Sequence, residues 1–494
     1  MNVSATAHEG SGRGLPLRNF GLSLTSKLGS LAANVAFVIL TARLFTKEEV
    51  AVIAVAGIAT ILMDVFKGMG LGTLLLKRLP QMGGTEAPES RILIVTYLFY
   101  SVLPPLLLTL TGLAVSSPVA RLWFGDGRGN ILRLALLVSL FTVLSNTNIL
   151  VLQATQKFGH LATLTLSTAA LQRLAPCVAA VWMGGGLEQF LVWSAVASAV
   201  GFATTCIPLF PALQPWQCKL LRWEEFWPES RHFYGTSLLR YGATQVDQLI
   251  VALLFPPATL AVYYMLRRLY SLGVMLIGSM IDALVPELAR QAGRDPRAAR
   301  ARLAEWSRLS LFAGSTGAAL MAGNGSAVIE MMLGPRYGED PLLIALFAAS
   351  TSLYFLYCFV QVDLLLFQSP NRILWMAAAT AMANLAAGPL TSHWLGVHSI
   401  PLAMLAGYLL GLVAARWKGR EGPAPRPVWR IRELGAGLFV VLVASMAPIA
   451  AQQAFLNDWE RFAAVNLVIA TLAAVHFWRN RVGDSLRRLG YGAA

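Results

Sequence analysis

About fourteen apolar runs, each of roughly twenty residues, follow one another along the chain. They lie near 21–44, 49–76, 91–115, 131–153, 160–183, 187–213, 234–255, 259–287, 308–333, 341–368, 372–392, 396–416, 432–454 and 460–478. A helix of that length crosses the hydrocarbon of a bilayer. The shortage of charge is chain-wide: 13% of residues are charged, against about 25% in soluble domains. The sequence therefore predicts an all-α polytopic membrane protein with about fourteen transmembrane helices. The weakest division is between the eleventh and twelfth runs, at HWLGVHS. Residues 1–18 are polar, and no signal-peptide core with a cleavage site follows, so the first run is expected to be a retained helix.

Loop charge sets the orientation. With a cytoplasmic N-terminus, Lys and Arg should collect in the even-numbered loops and the tail. Lys77 and Arg78, the Lys219–Arg222–Arg231 loop, the stretch RQAGRDPRAARARLAEWSR, the loop RWKGREGPAPRPVWRIR and the tail RNRVGDSLRRLG all obey this. About 26 of the 39 basic residues fall on the cytoplasmic side and about 7 on the other. Both termini are thus expected in the cytoplasm, and the net charge of +14 is read as topology plus contact with anionic membrane lipids. Nucleic acid is not expected as a partner, because the charge is spread over many short loops. The expected divisions are a cytoplasmic segment 1–20, a first lobe 21–213, an interfacial linker 214–233, a second lobe 234–416, a loop 417–431, two further spans within 432–478 and a tail 479–494. Trp216, Trp223 and Trp227 mark the linker as a segment anchored at the membrane interface.

The two lobes carry a short internal repeat. At an offset of 213 residues, Lys27 falls on Arg240, Gly29 on Gly242, Asn34 on Asp247 and Thr46 on Thr259. Positions i and i+7 share one helical face. Each lobe therefore opens with a helix bearing a polar stripe and a cation, the weak internal symmetry that transporters show.

Charges inside apolar runs are costly, on the order of 3 kcal/mol each, and usually face a bundle interior or a wet cavity. Besides Lys27 and Arg240 there are Asp64 and Lys67, Arg173, Arg267 and Arg268, Asp282 and Asp363. The alternatives are structural. Lys27 and Arg240 could reach out from helix ends, Asp64 could pair locally with Lys67, and Asp363 could hold two helices together. Arg267 and Arg268 are adjacent and should diverge, so at most one is expected to line a cavity. Asn146, Asn148 and Gln153 are expected as bonds between helices. Cations outnumber anions in the first eight runs, which favours an anionic cargo.

No nucleotide-binding fingerprint and no metal-ligand spacing occurs. Cys177, Cys206, Cys218 and Cys358 are scattered, so no disulfide framework, metal or cofactor is expected. The expected far-side loops are short, which leaves no platform for a membrane enzyme.

Two stretches resemble a known family. RLFTKEEVAVIAVAGIATILMDVFKGMGLGTLLLKR looks like the opening of the bacterial polysaccharide-unit flippases, of the multidrug/oligosaccharidyl-lipid/polysaccharide exporter superfamily. DQLIVALLFPPATLAVYYMLRRLYSLGVMLIGSMIDALVPELAR resembles that family's second-lobe entry, with Asp247, Tyr263, Ala283, Leu284 and Pro286 at the matching places. The resemblance covers about residues 20–370. It implies two six-helix lobes plus two C-terminal helices, alternating access, and a central cationic cavity for the pyrophosphate of a lipid-linked sugar. It carries over to Lys27, Arg240 and Asp247, and by extension to Lys67 and Arg267 as cargo contacts; Arg173 joins them as a cation inside an apolar run. Asn34, Asp64, Asp282 and Asp363 join Asp247 as polar or ion-coupling candidates. MDVFKGMGLGTLLL lacks the Arg-Ile-Pro-Asn-type stretch of the lipid II flippases, which disfavours a peptidoglycan role. Lys27 stands where an Arg would be expected, which weakens two-pronged phosphate binding there.

The function implied is transfer of an undecaprenyl-pyrophosphate-linked oligosaccharide across the bacterial inner membrane, beside a polysaccharide polymerase and chain-length proteins. The alternatives are an ion-coupled small-molecule exporter of the multidrug branch and a non-transporting scaffold of a polysaccharide assembly complex.

Overall fold

The computed structural model describes residues 14–79, 88–124, 129–155, 158–209, 219–367, 370–417, 439–441, 443–444, 446, 458–479, 482 and 485. Apart from residues 417, 479, 482 and 485, the expected segments 417–431 and 479–494 lie outside the described residues, as does most of the thirteenth span.

Every other expected span falls on helix. The first lobe contains α1 (Gly14–Leu44), α2 (Lys47–Phe66), α3 (Leu71–Arg78), α4 (Pro88–Phe124), α5 (Gly129–Ala154), α6 (Phe158–Trp182) and α7 (Leu187–Cys206). The second contains α8 (Trp223–Thr244), α9 (Val246–Leu254), α10 (Pro257–Arg294), α11 (Pro296–Leu333), α12 (Pro341–Phe367), α13 (Pro370–Leu395) and α14 (Ser399–Trp417). α15 (Asp458–Arg479) follows. Among the described residues, eight helical stretches are long and apolar enough to cross a membrane by length and composition, and Gly29–Leu44 and Ala463–Phe477 are shorter apolar helices. This is an all-α polytopic membrane protein. The eleventh and twelfth spans are separate helices, parted at Gly396 by a φ of 57° that glycine tolerates.

The helix neighbours of one lobe recur in the other. α1 packs on α6 as α8 packs on α13, and α5 on α7 as α12 on α14. α4 meets α5 as α11 meets α12, and α2 meets α5 as α10 meets α12. The repeated glycines act alike. Gly29 lies against Leu166 of α6, and Gly242 against Ala381 of α13. Each lets the first helix of its lobe approach the fifth. The C-terminal helix docks on a small-residue face of α11, where Ala319 packs with Val465 and Ile469. Asn324 and Asn466 exchange side-chain bonds of 3.2 and 3.3 Å there.

Two expected spans are not continuous helices. The second breaks after Phe66, where Gly68, Met69 and Gly70 take φ of 64°, 44° and 85° before α3 resumes. The kink lies so close to α8 that a side chain at Gly70 would meet the backbone of Ser230 and Tyr234. The seventh breaks at Gln245, between α8 and α9. The expected linker is helical from Trp223 and runs on into the seventh span. Its aromatics hold it to the first lobe, with Trp223 stacked on Trp227 at 4.4 Å and Phe226 against Tyr100 at 4.9 Å. Trp216 lies outside the described residues.

The lobes meet at the end where α1 turns into α2. Thr46 caps α2 in a reciprocal box with Glu49, at 3.3 and 2.9 Å. Beside it, Arg43 donates to the carbonyls of Met331 and Met332 at 2.5 and 3.1 Å, and Lys47 pairs with Glu339 at 3.8 Å. Beneath these, Val38, Ala42 and Val50–Ala54 share one buried core with Val246, Val251, Leu260 and Ala261. At the opposite end α8 bridges back to the first lobe, where Arg78 pairs with Glu229.

Candidate functional site

Between these two junctions lies a cavity of about 480 Å³, lined by α1, α2, α5, α6 and α7 from one lobe and by α8, α9, α10, α12 and α14 from the other. The first lobe gives it a neutral polar wall of Thr142, Asn146, Gln172, Ser194 and Ser198, together with Arg173. The second gives it Arg240, Arg267 and Arg268. Tyr264, Tyr270, Tyr354 and Tyr408 fill the space between them. No Asp or Glu is among the described lining residues.

Each arginine is positioned differently. Arg173 reaches from α6 to α1, where its Nη1 donates to the Ser30 carbonyl at 3.2 Å and lies 3.3 Å from the Ser30 hydroxyl. Arg268 lies along its own helix, with Nη2 donating to Tyr264 Oη at 2.7 Å. Gly57 of α2 leaves room for this pair, since a side chain there would sit 3.2 Å from Tyr264 and 3.5 Å from Arg268. Arg267 reaches sideways. Its Nε donates to Asp247 Oδ2 at 2.7 Å, another of its nitrogens donates to the Thr244 carbonyl, and the guanidinium lies 4.4 Å from the Tyr270 ring centre. Its side chain is only 5% exposed and that of Asp247 only 2%. An ion pair that deep must be well bonded to persist, and Tyr263 Oη adds a further bond to Asp247 at 2.8 Å.

Arg267 is thus neutralised. No carboxylate pairs with Arg173, Arg240 or Arg268 among the described residues. The cavity carries a net positive lining, and its cations come from both lobes.

The structure brings Arg173, Arg240 and Arg267 of the expected residues to one cavity. Both Arg267 and Arg268 line it, contrary to the expectation for adjacent residues, because one extends across the seventh span and the other folds back on Tyr264. Arg240 is not near a helix start: α8 begins at Trp223, and Arg240 stands one turn before its end. Lys27 lies well inside α1, which begins at Gly14, and its side chain is outside the described set, as is that of Asp282 within α10. Other expected residues stand away from the cavity wall. Lys67 bonds Asp64 at 2.5 Å at the α2 kink, Asp363 accepts from Arg300 at 2.9 Å, and buried Asn34 faces Met275 Sδ at 3.7 Å between the lobes. Asp247 lies behind Arg267 rather than in the wall. Asn148 bonds Thr205 between helices at 3.0 Å, as expected, whereas Asn146 lines the cavity. Sequence reasoning missed Gln172, Gln245 and Gln248. The signal was present, since Gln172 adjoins Arg173, and Gln245 and Gln248 stand three apart, a spacing that puts both on one helical face.

The fold is that of known transporters. The chain superposes on the lipid II flippase MurJ in an inward closed conformation, with TM-score 0.65, 11% identity, and coverage of 94% of this chain and 99% of that one. A multidrug resistance MATE family transporter of the MOP superfamily, in an inward-facing conformation, gives TM-score 0.60 and 14% identity over 81% of this chain and 98% of its own. A MOP superfamily transporter from Pyrococcus furiosus gives 0.57 and 13% over 83% and 98%. At such identities the likeness concerns the fold alone. No curated protein matches by sequence. The model of one family does match, over residues 40–340, and the chain belongs to that family, described as polysaccharide biosynthesis protein.

Proposed function

We propose that this protein is a flippase that carries an undecaprenyl-pyrophosphate-linked oligosaccharide across the bacterial inner membrane by alternating access, for surface polysaccharide assembly. The observation that carries this reading is the cavity between the lobes, with Arg173, Arg240 and Arg268 paired to no carboxylate among the described residues and no carboxylate in its described lining. A diphosphate needs several cations at short range, and the planar fork of arginine suits its oxygens. Arg173 and Arg268 come from different lobes and line the same cavity. In this reading an anion between them bridges the lobes and draws them together. The hydroxyl and amide wall of the first lobe suits sugar hydroxyls.

Membership in a polysaccharide biosynthesis family supports a saccharide cargo over a drug, and a positive cavity favours an anionic cargo. The cargo passes in this reading from cytoplasmic glycosyl transfer to a polymerase on the far side, with both termini in the cytoplasm. Proteoliposomes holding the purified chain and a fluorescent lipid-linked oligosaccharide test it. Wild-type protein should expose the cargo to an impermeant quencher on the opposite leaflet. Equal exposure by protein-free liposomes would defeat the reading.

A further inference from the structure

The seventh span is interrupted within the cavity wall, and a cavity arginine holds the interruption. α8 stops at Thr244 and α9 starts at Val246, with Gln245 between them at φ −136° and ψ −16°. None of these three residues is proline or glycine, so the local backbone does not force the break. The carbonyls at the end of α8 have lost their helical donors, and lipid offers none in exchange. Two side chains replace them. Asn384 of α13 donates to the carbonyl of Ala243 at 2.8 Å and to that of Gly242 at 3.4 Å. Arg267 of α10 donates to the carbonyl of Thr244 on one side of the break and, at 2.7 Å, to Asp247 on the other. Its charge faces the negative end of α8, and Asp247 lies in the first turn of α9, where the helix dipole favours an anion. The matching helix of the first lobe, α1, is continuous from Gly14 to Leu44, with Asn34 in the place of Asp247.

Arg267 also lines the cavity. A guanidinium carries five N–H donors, and the hold on the break does not use all of them. We propose that Arg267 is a positioning residue through which cargo acts on the seventh span. A diphosphate among Arg173, Arg240 and Arg268 bonds the remaining N–H groups of Arg267. It competes with Asp247 for the charge, weakens the hold on Thr244 and frees α8 and α9 to change their mutual angle. A helix joined at one point by side chains, rather than by its own ladder, is the kind of element that can adopt two arrangements. This inference rests on the anionic-cargo reading above.

Hydrogen–deuterium exchange on the full chain in nanodiscs tests it, with farnesyl diphosphate as the probe and its affinity measured on the same samples. In the wild type, exchange at residues 245–249 should rise several-fold when the probe binds. Arg267→Gln should show raised exchange without probe and no further response, while still binding the probe through the other three arginines. Arg267→Lys, which keeps the charge but has one nitrogen, should recover part of the response. Asp247→Asn keeps Arg267 and removes its acid, so it should bind the probe several-fold more tightly. If the wild type does not bind the probe, the anionic-cargo reading falls. If it binds and exchange at 245–249 is unchanged, Arg267 is a static clamp and this inference falls alone. Unaltered or weaker probe affinity in Asp247→Asn would also overturn it.

Discussion

Arg173 of α6 and Arg268 of α10 enter one cavity from opposite lobes, and no carboxylate lies in the described lining between them. Each is held by an uncharged partner, Ser30 in one case and Tyr264 in the other. Those bonds orient the guanidinium groups without cancelling their charge. The pair can therefore act on an anion together.

Replacing Arg173 or Arg268 by Gln should each weaken cargo binding about tenfold to a hundredfold, since a charge-assisted bond contributes roughly 1.5–3 kcal/mol. The double variant should lose less than the sum, because both act on one group and removing either also relieves the repulsion. Export of the surface polysaccharide at matched protein level measures this, beside cargo affinity. Full export by the double variant would mean the cations have another purpose.

The junction at the α1–α2 turn should have to part for cargo to leave by that end. Arg43 holds the last carbonyls of α11, and Lys47 pairs with Glu339 across the lobes. Cysteines at positions 47 and 339, joined by a short bifunctional maleimide, should arrest transfer, while either cysteine alone should not. Normal transfer by the joined protein would show that this end stays shut throughout the cycle.

The spans and the presence of a cationic interior were legible in the sequence because length and charge rarity are strong signals in lipid. What sequence could not show was which charges meet. Asp64 and Lys67 close on each other over one helical turn, and Asp363 is taken by Arg300, far away in sequence. The breaks at Met69 and Gln245 were equally hidden. The first runs through KGMG, where glycines allow positive φ without announcing it, and the second has neither proline nor glycine among Thr244, Gln245 and Val246. It is held by Asn384 and Arg267, partners that only the fold brings near.

Gly70 should tolerate no side chain. Its φ of 85° is strained for other residues, at about 1–3 kcal/mol, and a Cβ would lie 2.8 Å from the Tyr234 nitrogen. Gly70→Ala should therefore lower the melting temperature of the purified protein and loosen α8 from the first lobe. Gly235→Ala is the control: it meets nothing within 4 Å, and its helical setting favours Ala by about 0.5–1 kcal/mol. Equal melting temperatures for the two variants would contradict the close approach.

Asp363 should prove to be a fastener between α11 and α12 rather than a cargo or ion contact. Its side chain is 7% exposed, it accepts from Arg300 at 2.9 Å, and it stands outside the cavity wall. Asp363→Asn leaves Arg300 half-buried without its counter-charge, and breaking a buried pair costs roughly 3–5 kcal/mol, less here because Arg300 keeps some exposure. Stability and export should therefore fall together. Replacing both residues, Asp363→Leu with Arg300→Met, removes the stranded charge and fills similar volume, a change that is often neutral or stabilising. The double variant should regain both its melting temperature and its export. An ion-coupling or cargo-binding Asp363 predicts the opposite split, with stability restored and export still lost.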